Sequence, residues 1–158
     1  MEIRVVDFDL LTKNYKNYQD GISNISEVKK SFLKKLDPIK KQMEEIINFA
    51  NSGLILDNST QKEKEETFRR LQDEAMLIDS DFKSTMKEMH NDLNKKTFDE
   101  LTEVINQYTE ENNEIDLVLG KMEVVFLKKN FEITNDILEI LKQKDLYVDL
   151  EIAEQISE

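Results

Sequence analysis

Between Thr60 and Asn112 the chain contains neither glycine nor proline. A compact domain reverses direction often, and each reversal favours Gly, Pro, Asn or Asp. An uninterrupted stretch of this length points instead to one helix of roughly 80 Å, at about 1.5 Å per residue. A helix that long is marginal alone in water and needs a partner along its side. The preceding segment supplies one. Its apolar residues Ile25, Val28, Phe32, Leu36, Ile39, Met43 and Ile46 step mostly by alternating threes and fours, the spacing of a coiled-coil seam. The predicted unit is an antiparallel helical-hairpin arm over residues 22–112, turning at a tip near residues 52–59.

Within that arm, Pro38 removes a backbone donor from the first helix and predicts a kink near residues 33–37. Ser59 or Thr60 is the expected cap of the second helix. One heptad frame carries Phe68, Leu71, Ala75, Ile78, Phe82 and Met89, and another carries Phe98, Leu101, Ile105 and Tyr108. The seam drifts between them, where Asn91, Asn94, Lys95 and Lys96 intervene.

The two ends of the chain read differently. Residues 2–6 are a β-branched run, taken as a strand. Residues 8–20 have helical spacing and stop at Gly21, a predicted C-cap, with Ser23 or Asn24 opening the next helix. Residues 115–119 and 123–127 flank Gly120-Lys121 and predict a β-hairpin over 115–127. Thr134 or Asn135 is the expected cap of a short closing helix bearing Ile137, Leu138 and Leu141. Residues 143–158 form an acidic tail, of which 145–158 are read as frayed helix or disorder. The fold class is therefore α+β, mostly α. A small β body (1–21 and 113–142) accompanies the arm. Three short strands and one small helix cannot bury an adequate core alone, so self-association is expected. Ile3, Val5, Leu117, Leu119, Val124 and Phe126 alternate along the strands and are the predicted shared face of the assembled body.

Charge and composition narrow the function. The net charge of −12 opposes binding to nucleic acid or to anionic membrane surfaces. No apolar run approaches the ~20 residues of a membrane span, so no direct membrane insertion is expected. With no Cys there is no disulfide or thiolate metal site. The lone His90 has Lys87 and Asn94 where a second helical metal ligand would stand. The three glycines are isolated, which leaves no phosphate-cradling loop. No pair of acids stands in an apolar run that would raise one of them for acid–base work. The expectation is a protein that is not an enzyme and uses no cofactor. Met1 to Val6 carry no basic region, apolar core or cleavage site. That predicts a cytoplasmic protein as written, or a periplasmic one if a signal has been removed.

Specific residues at both ends resemble a known family. Ile3-Arg4-Val5-Val6-Asp7-Phe8-Asp9-Leu10-Leu11, followed by a Tyr-bearing helix, is similar to the opening strand and helix of the Skp/OmpH family of periplasmic outer-membrane-protein chaperones. Ile115-Asp116-Leu117-Val118-Leu119, then Val124-Val125-Phe126, then Glu132-Ile133-Thr134, resembles its later strands and the motif before its closing helix. Glu132 stands where the family has Asp. The resemblance covers residues 2–142 and implies a homotrimer. Three helical hairpins would project from a shared β body and enclose an unfolded client without nucleotide. The chain departs from the family in its acidity and in the apolar tip Leu54-Ile55-Leu56.

On this reading the protein is an ATP-independent holdase. Its candidate client-binding residues are Leu54, Ile55, Leu56, Met43, Phe49, Met76, Met86 and Met89, since Met repacks against many shapes. Most of these residues also fit the seam between the two helices, which is too thin to bury them all. Two alternatives share the arms: a coiled-coil scaffold or adaptor for one specific partner, and a prefoldin-like cytosolic holdase. The Lys/Asn/Ile/Glu usage would suit a virus-encoded or cytoplasmic relative.

Overall fold

The fold is that of a computed structural model, which describes residues 1–150. The elements are β1 (Ile3–Val6), α1 (Phe8–Lys13), α2 (Lys16–Asn51), α3 (Asn58–Glu111), β2 (Leu117–Gly120) and α4 (Thr134–Gln143). Two 3₁₀ turns, Lys121–Glu123 and Lys129–Phe131, lie between β2 and α4. The fold class is α+β and mostly helical, with two long helices joined by a short turn. The chain divides into two compact units, one of residues 1–23 with Asn91 onward and one of Asn24–His90. They are called here the terminal and the central unit.

In the terminal unit, β1 and β2 pair in parallel, from Ile3 opposite Leu117 to Val6 opposite Gly120. A parallel pair needs a long crossover, and the two long helices provide it. Val5 also bridges Glu132 on the other edge of β1. Strand alternation sends Val6 and Val118 to the inner face, where they meet the helices. On α3, Leu101, Val104 and Ile105 fall on one stripe, as do Ile137 and Leu141 on α4. Together with Leu11 and Tyr15 they make the core, in which Leu11, Leu101, Ile137 and Leu141 have no exposed surface.

Four expectations for the terminal unit need correction. The hairpin over 115–127 does not form: its first half is β2, paired to β1, while Lys121–Glu123 turn as 3₁₀ and Val124–Leu127 pair with no strand among the described residues. Gly120-Lys121 signalled a local reversal, but the partner available to Leu117–Gly120 was the distant N-terminal strand. Gly21 is no C-cap. Helix α2 runs straight through it from Lys16, so Ser23 and Asn24 cap nothing. The glycine is there for clearance, since a Cβ at this position would stand 2.4 Å from Leu93 Cδ1. Thr134 and Asn135 do not cap α4, whose N-cap is Ile133 with no side-chain bond. Finally, the start of the presumed tail is ordered. Asp145 takes φ 57°, and the amides of Asp145 and Leu146 donate to the carbonyls of Lys142 and Leu141. This closes α4 with a Schellman motif built on Asp instead of Gly. Tyr147 then bridges Tyr15, and Val148 N–H donates to Asn14 O. The rest of the tail lies outside the described residues.

The central unit has only two helical walls. Its buried side chains are Ile25, Phe32 and Ile39 on α2, at heptad spacing, and Leu71 on α3. Phe32 and Phe82 meet edge-on at 5.4 Å. Pro38 lies within α2, and helix continues on both sides of it. At the turn, Ser52 N–H and Oγ both bond to Phe49 O, and Gly53 takes φ 75°. Asp57, rather than Ser59 or Thr60, caps α3: its Oδ1 accepts from Thr60 N–H at 3.0 Å. Hydrogen bonding from the Thr60 side chain first, then from its backbone N–H, holds the Asp57 carboxyl below its usual range.

Candidate functional site

Two apolar surfaces stand out, one in each unit. In the terminal unit, the outer face of the sheet carries Ile3, Val5, Leu117 and Leu119, because alternate residues point away from the core. Ile3, Val5, Leu119, Val124 and Phe126 line a single cavity of about 330 Å³, closed on one side by Leu127 and Phe131. Five of the six residues expected on a shared face are thus brought together. Leu117 sits beside Ile3 in the ladder and is exposed. Val5 is buried, whereas Phe126 is 77% exposed and Val125 fully so.

The segment that bears Phe126 is anchored at its two ends by polar groups of the Glu132-Ile133-Thr134 motif. Ile133 N–H donates to Val5 O at 2.9 Å, and Asp7 N–H donates to Thr134 Oγ1 at 2.8 Å. Thr134 Oγ1 in turn donates to Glu132 Oε1 at 3.0 Å. Lys121 Nζ reaches Glu132 Oε1 at 3.1 Å and Asp7 Oδ2 at 3.6 Å. The hydrogen bond to Glu132, then its charge, raises the Lys121 ammonium above its ordinary value. The motif therefore ties the strand edge to α4 and holds the 3₁₀ turn. Its threonine serves the start of α1 rather than the helix it begins.

In the central unit, the expected client-binding residues divide by exposure. Leu54, Ile55 and Met76 are exposed, Ile55 at 99%. Met43, Phe49, Leu56, Met86 and Met89 are half-buried. Phe49 and Leu56 line one cavity of about 500 Å³ with Ile46, Ile47, Phe68 and Lys64, and Arg69 stands on its wall. Leu54, Ile55, Met43 and the three α3 methionines are not among its walls. Lys64 Nζ lies 4.3 Å from the centre of the Phe49 ring.

Sequence reasoning missed Leu77, which is 72% exposed, and the partly exposed Leu33 and Ile47. The signal for Leu77 was present. Met76, Leu77 and Ile78 are consecutive on a helix, and successive residues turn about 100°, so one narrow seam cannot bury all three. Among the described residues, no group of His, Asp and Glu is placed to hold a metal ion, and no helix is long and apolar enough to cross a membrane.

A family model described as outer membrane protein (OmpH-like) matches residues 2–141. No curated protein matches the chain.

Proposed function

Because the chain belongs to the OmpH-like family, we propose that it is an ATP-independent holdase chaperone which binds unfolded or partly folded proteins as a homotrimer. The observation that carries this reading is the exposure of Leu54 and Ile55 in the turn and of Met76 and Leu77 on α3, with Leu33 and Ile47 partly exposed on α2. Large exposed apolar residues in this number mark an interaction surface. Many weak, replaceable contacts suit a client with no fixed shape.

The outer sheet face supports the trimer. Leu117, Val125 and Phe126 leave apolar surface in water, and among the described residues Val124–Leu127 have no strand partner. A second and third copy would cover both. The helical pairs of three copies would then border a cavity in which a client is held, with no nucleotide step. The surface charge of −12 would keep a loaded complex soluble.

The test is suppression of aggregation for several unrelated unfolded proteins, each with and without ATP, alongside a folded control. The expected result is suppression of most of them regardless of ATP. Indifference to every unfolded protein, with tight binding of one folded partner, would replace this reading with the scaffold. Light-scattering mass checks the assembly. It should give a trimer for the native chain and a smaller species for Leu119→Asp or Phe126→Asp, which put an unpaired charge on the shared face.

A further inference from the structure

The cavity between the facing ends of α2 and α3 has a composition unlike the surface around it. Its floor is apolar, from Ile46, Phe49, Leu56 and Phe68, and two cations, Lys64 and Arg69, stand on its α3 wall. Its volume of about 500 Å³ is in the range of sites that hold small molecules or peptide side chains, roughly 300–1,000 Å³. Lys64 lays its stem toward the Phe49 ring, with the ammonium over the ring face. Among the described residues, no carboxylate forms an ion pair with Lys64 or Arg69. The one acid on the lining, Glu65, accepts a long hydrogen bond from Gln61 Nε2.

We infer that this cavity is a receptor for peptide segments in which a large apolar side chain lies next to an aspartate or glutamate. The apolar group fills the space over Phe49 and Phe68, and the carboxylate takes Lys64 and Arg69 as partners. Arg offers a planar fork suited to a carboxylate and Lys a mobile point charge. A peptide is the occupant, rather than a compact small molecule, because the apolar surface does not stop at the cavity. Leu54 and Ile55, exposed at 65% and 99%, precede the lining residue Leu56 in the chain. Flanking residues of an extended segment would lie on them. This inference rests on the holdase reading and names the side chains that such a client would offer here.

It also opposes what net charge alone predicts. A chain of −12 should favour basic clients at long range, but that field is screened beyond a Debye length of about 8 Å at physiological salt. Inside the cavity the two nearby cations decide. The experiment uses the full chain and three peptides with blocked ends and a neutral fluorophore. They share one Leu-Phe core and differ in flanks of Asp, Asn or Lys. Fluorescence anisotropy should rank them Asp, then Asn, then Lys, with Asp about three- to tenfold tighter than Asn, as two partly exposed ion pairs allow. The double variant K64Q/R69Q should bring the Asp and Asn peptides to equal affinity. Ala50→Trp, which fills the cavity, should weaken all three, with circular dichroism confirming that the helices persist.

Equal binding of Asp and Asn peptides, an Asp preference that survives K64Q/R69Q, or no binding at all would overturn the inference. Aggregation suppression by the native chain, measured in parallel, separates the two readings. If suppression holds and the Asp preference is absent, the holdase stands and this site falls. If the preference is present without suppression, the site stands and the holdase falls.

Discussion

The terminal and central units are built from the same two long helices and differ in what those helices meet. In the terminal unit, α1, α4 and the inner sheet face surround the stripe on α3, and four side chains lose all contact with water. In the central unit, α2 has only α3. Its most buried side chains, Leu71 and Ile39, keep 3% and 5% of their surface, and Met76 and Leu77 beside them are mostly in water. A helix pair buries one stripe and no more. Apolar residues beyond that stripe have no neighbour to cover them and stay in water. Stability is concentrated where five elements converge, while Met76 and Leu77 stay exposed where only two do.

The largest test of that contrast is truncation in the terminal core. Leu101→Ala or Ile137→Ala should cost about 2–5 kcal/mol in urea unfolding, because each side chain is wholly enclosed and leaves a cavity. A cost near that of an exposed substitution would break the comparison.

Next is the close approach of α2 to α3 at Gly21. Gly21→Val should destabilise by about 1–3 kcal/mol through overpacking against Leu93. Adding Leu93→Ala should recover part of that loss, since the two sites share one contact. Additive losses in the double variant would show that clearance is not what the glycine provides.

Tyr15 gives a smaller effect with a pH signature. Its hydroxyl donates to Glu100 Oε2 at 2.6 Å, and Asn17 Nδ2 donates to it at 3.0 Å. Burial first, then the bond to Glu100 and its charge, pushes the phenol from 10.0 up to about 12. A raised folded-state value stabilises the protein fully below pH 10 and loses that contribution as pH climbs through about 12. Tyr15→Phe should cost about 1–2 kcal/mol at neutral pH. It should also flatten the fall in stability between pH 10 and 12, measured as the difference between native and variant unfolding curves.

The smallest expected effect is in the central unit. Met76→Ser with Leu77→Ser should change unfolding free energy by no more than about 0.5 kcal/mol, yet reduce suppression of client aggregation. A large loss of stability would place these residues in a packed interface, and the contrast between the units would fail.

Much of this was readable from residue order. The absence of breakers between Thr60 and Asn112 required a long helix, and heptad spacing of Ile25, Phe32 and Ile39 identified the stripe that is buried. Five of the six residues expected on the shared face line one cavity. Strand alternation, a local property, places Ile3, Val5 and Leu119 there, whereas Val124 and Phe126 lie outside either strand. The candidate client surface was half legible. Its tip was found, but Leu77 was passed over by assigning residues to a seam without asking how wide a seam can be. The pairing of Lys64 with Phe49 was invisible, since it joins two helices whose relative register the pattern alone leaves open.

The sequence by itself determined the two long helices, their apolar stripes, the faces of β1 and β2 and the family, because these depend on propensity, periodicity and motif within a short window. Only the tertiary structure decided which partner each element takes. Leu117–Gly120 chose the N-terminal strand over its neighbour, Gly21 serves a side chain on another helix, and Thr134 bonds the amide of Asp7. Asp145 ends α4 where no glycine marked the place, with Leu146 and Tyr147 packed against the core. Each of these is a contact between residues far apart in the chain or a turn held by burial. Local pattern cannot rank such partners, because the free energy that selects among them comes from surface removed from water only when the whole unit closes.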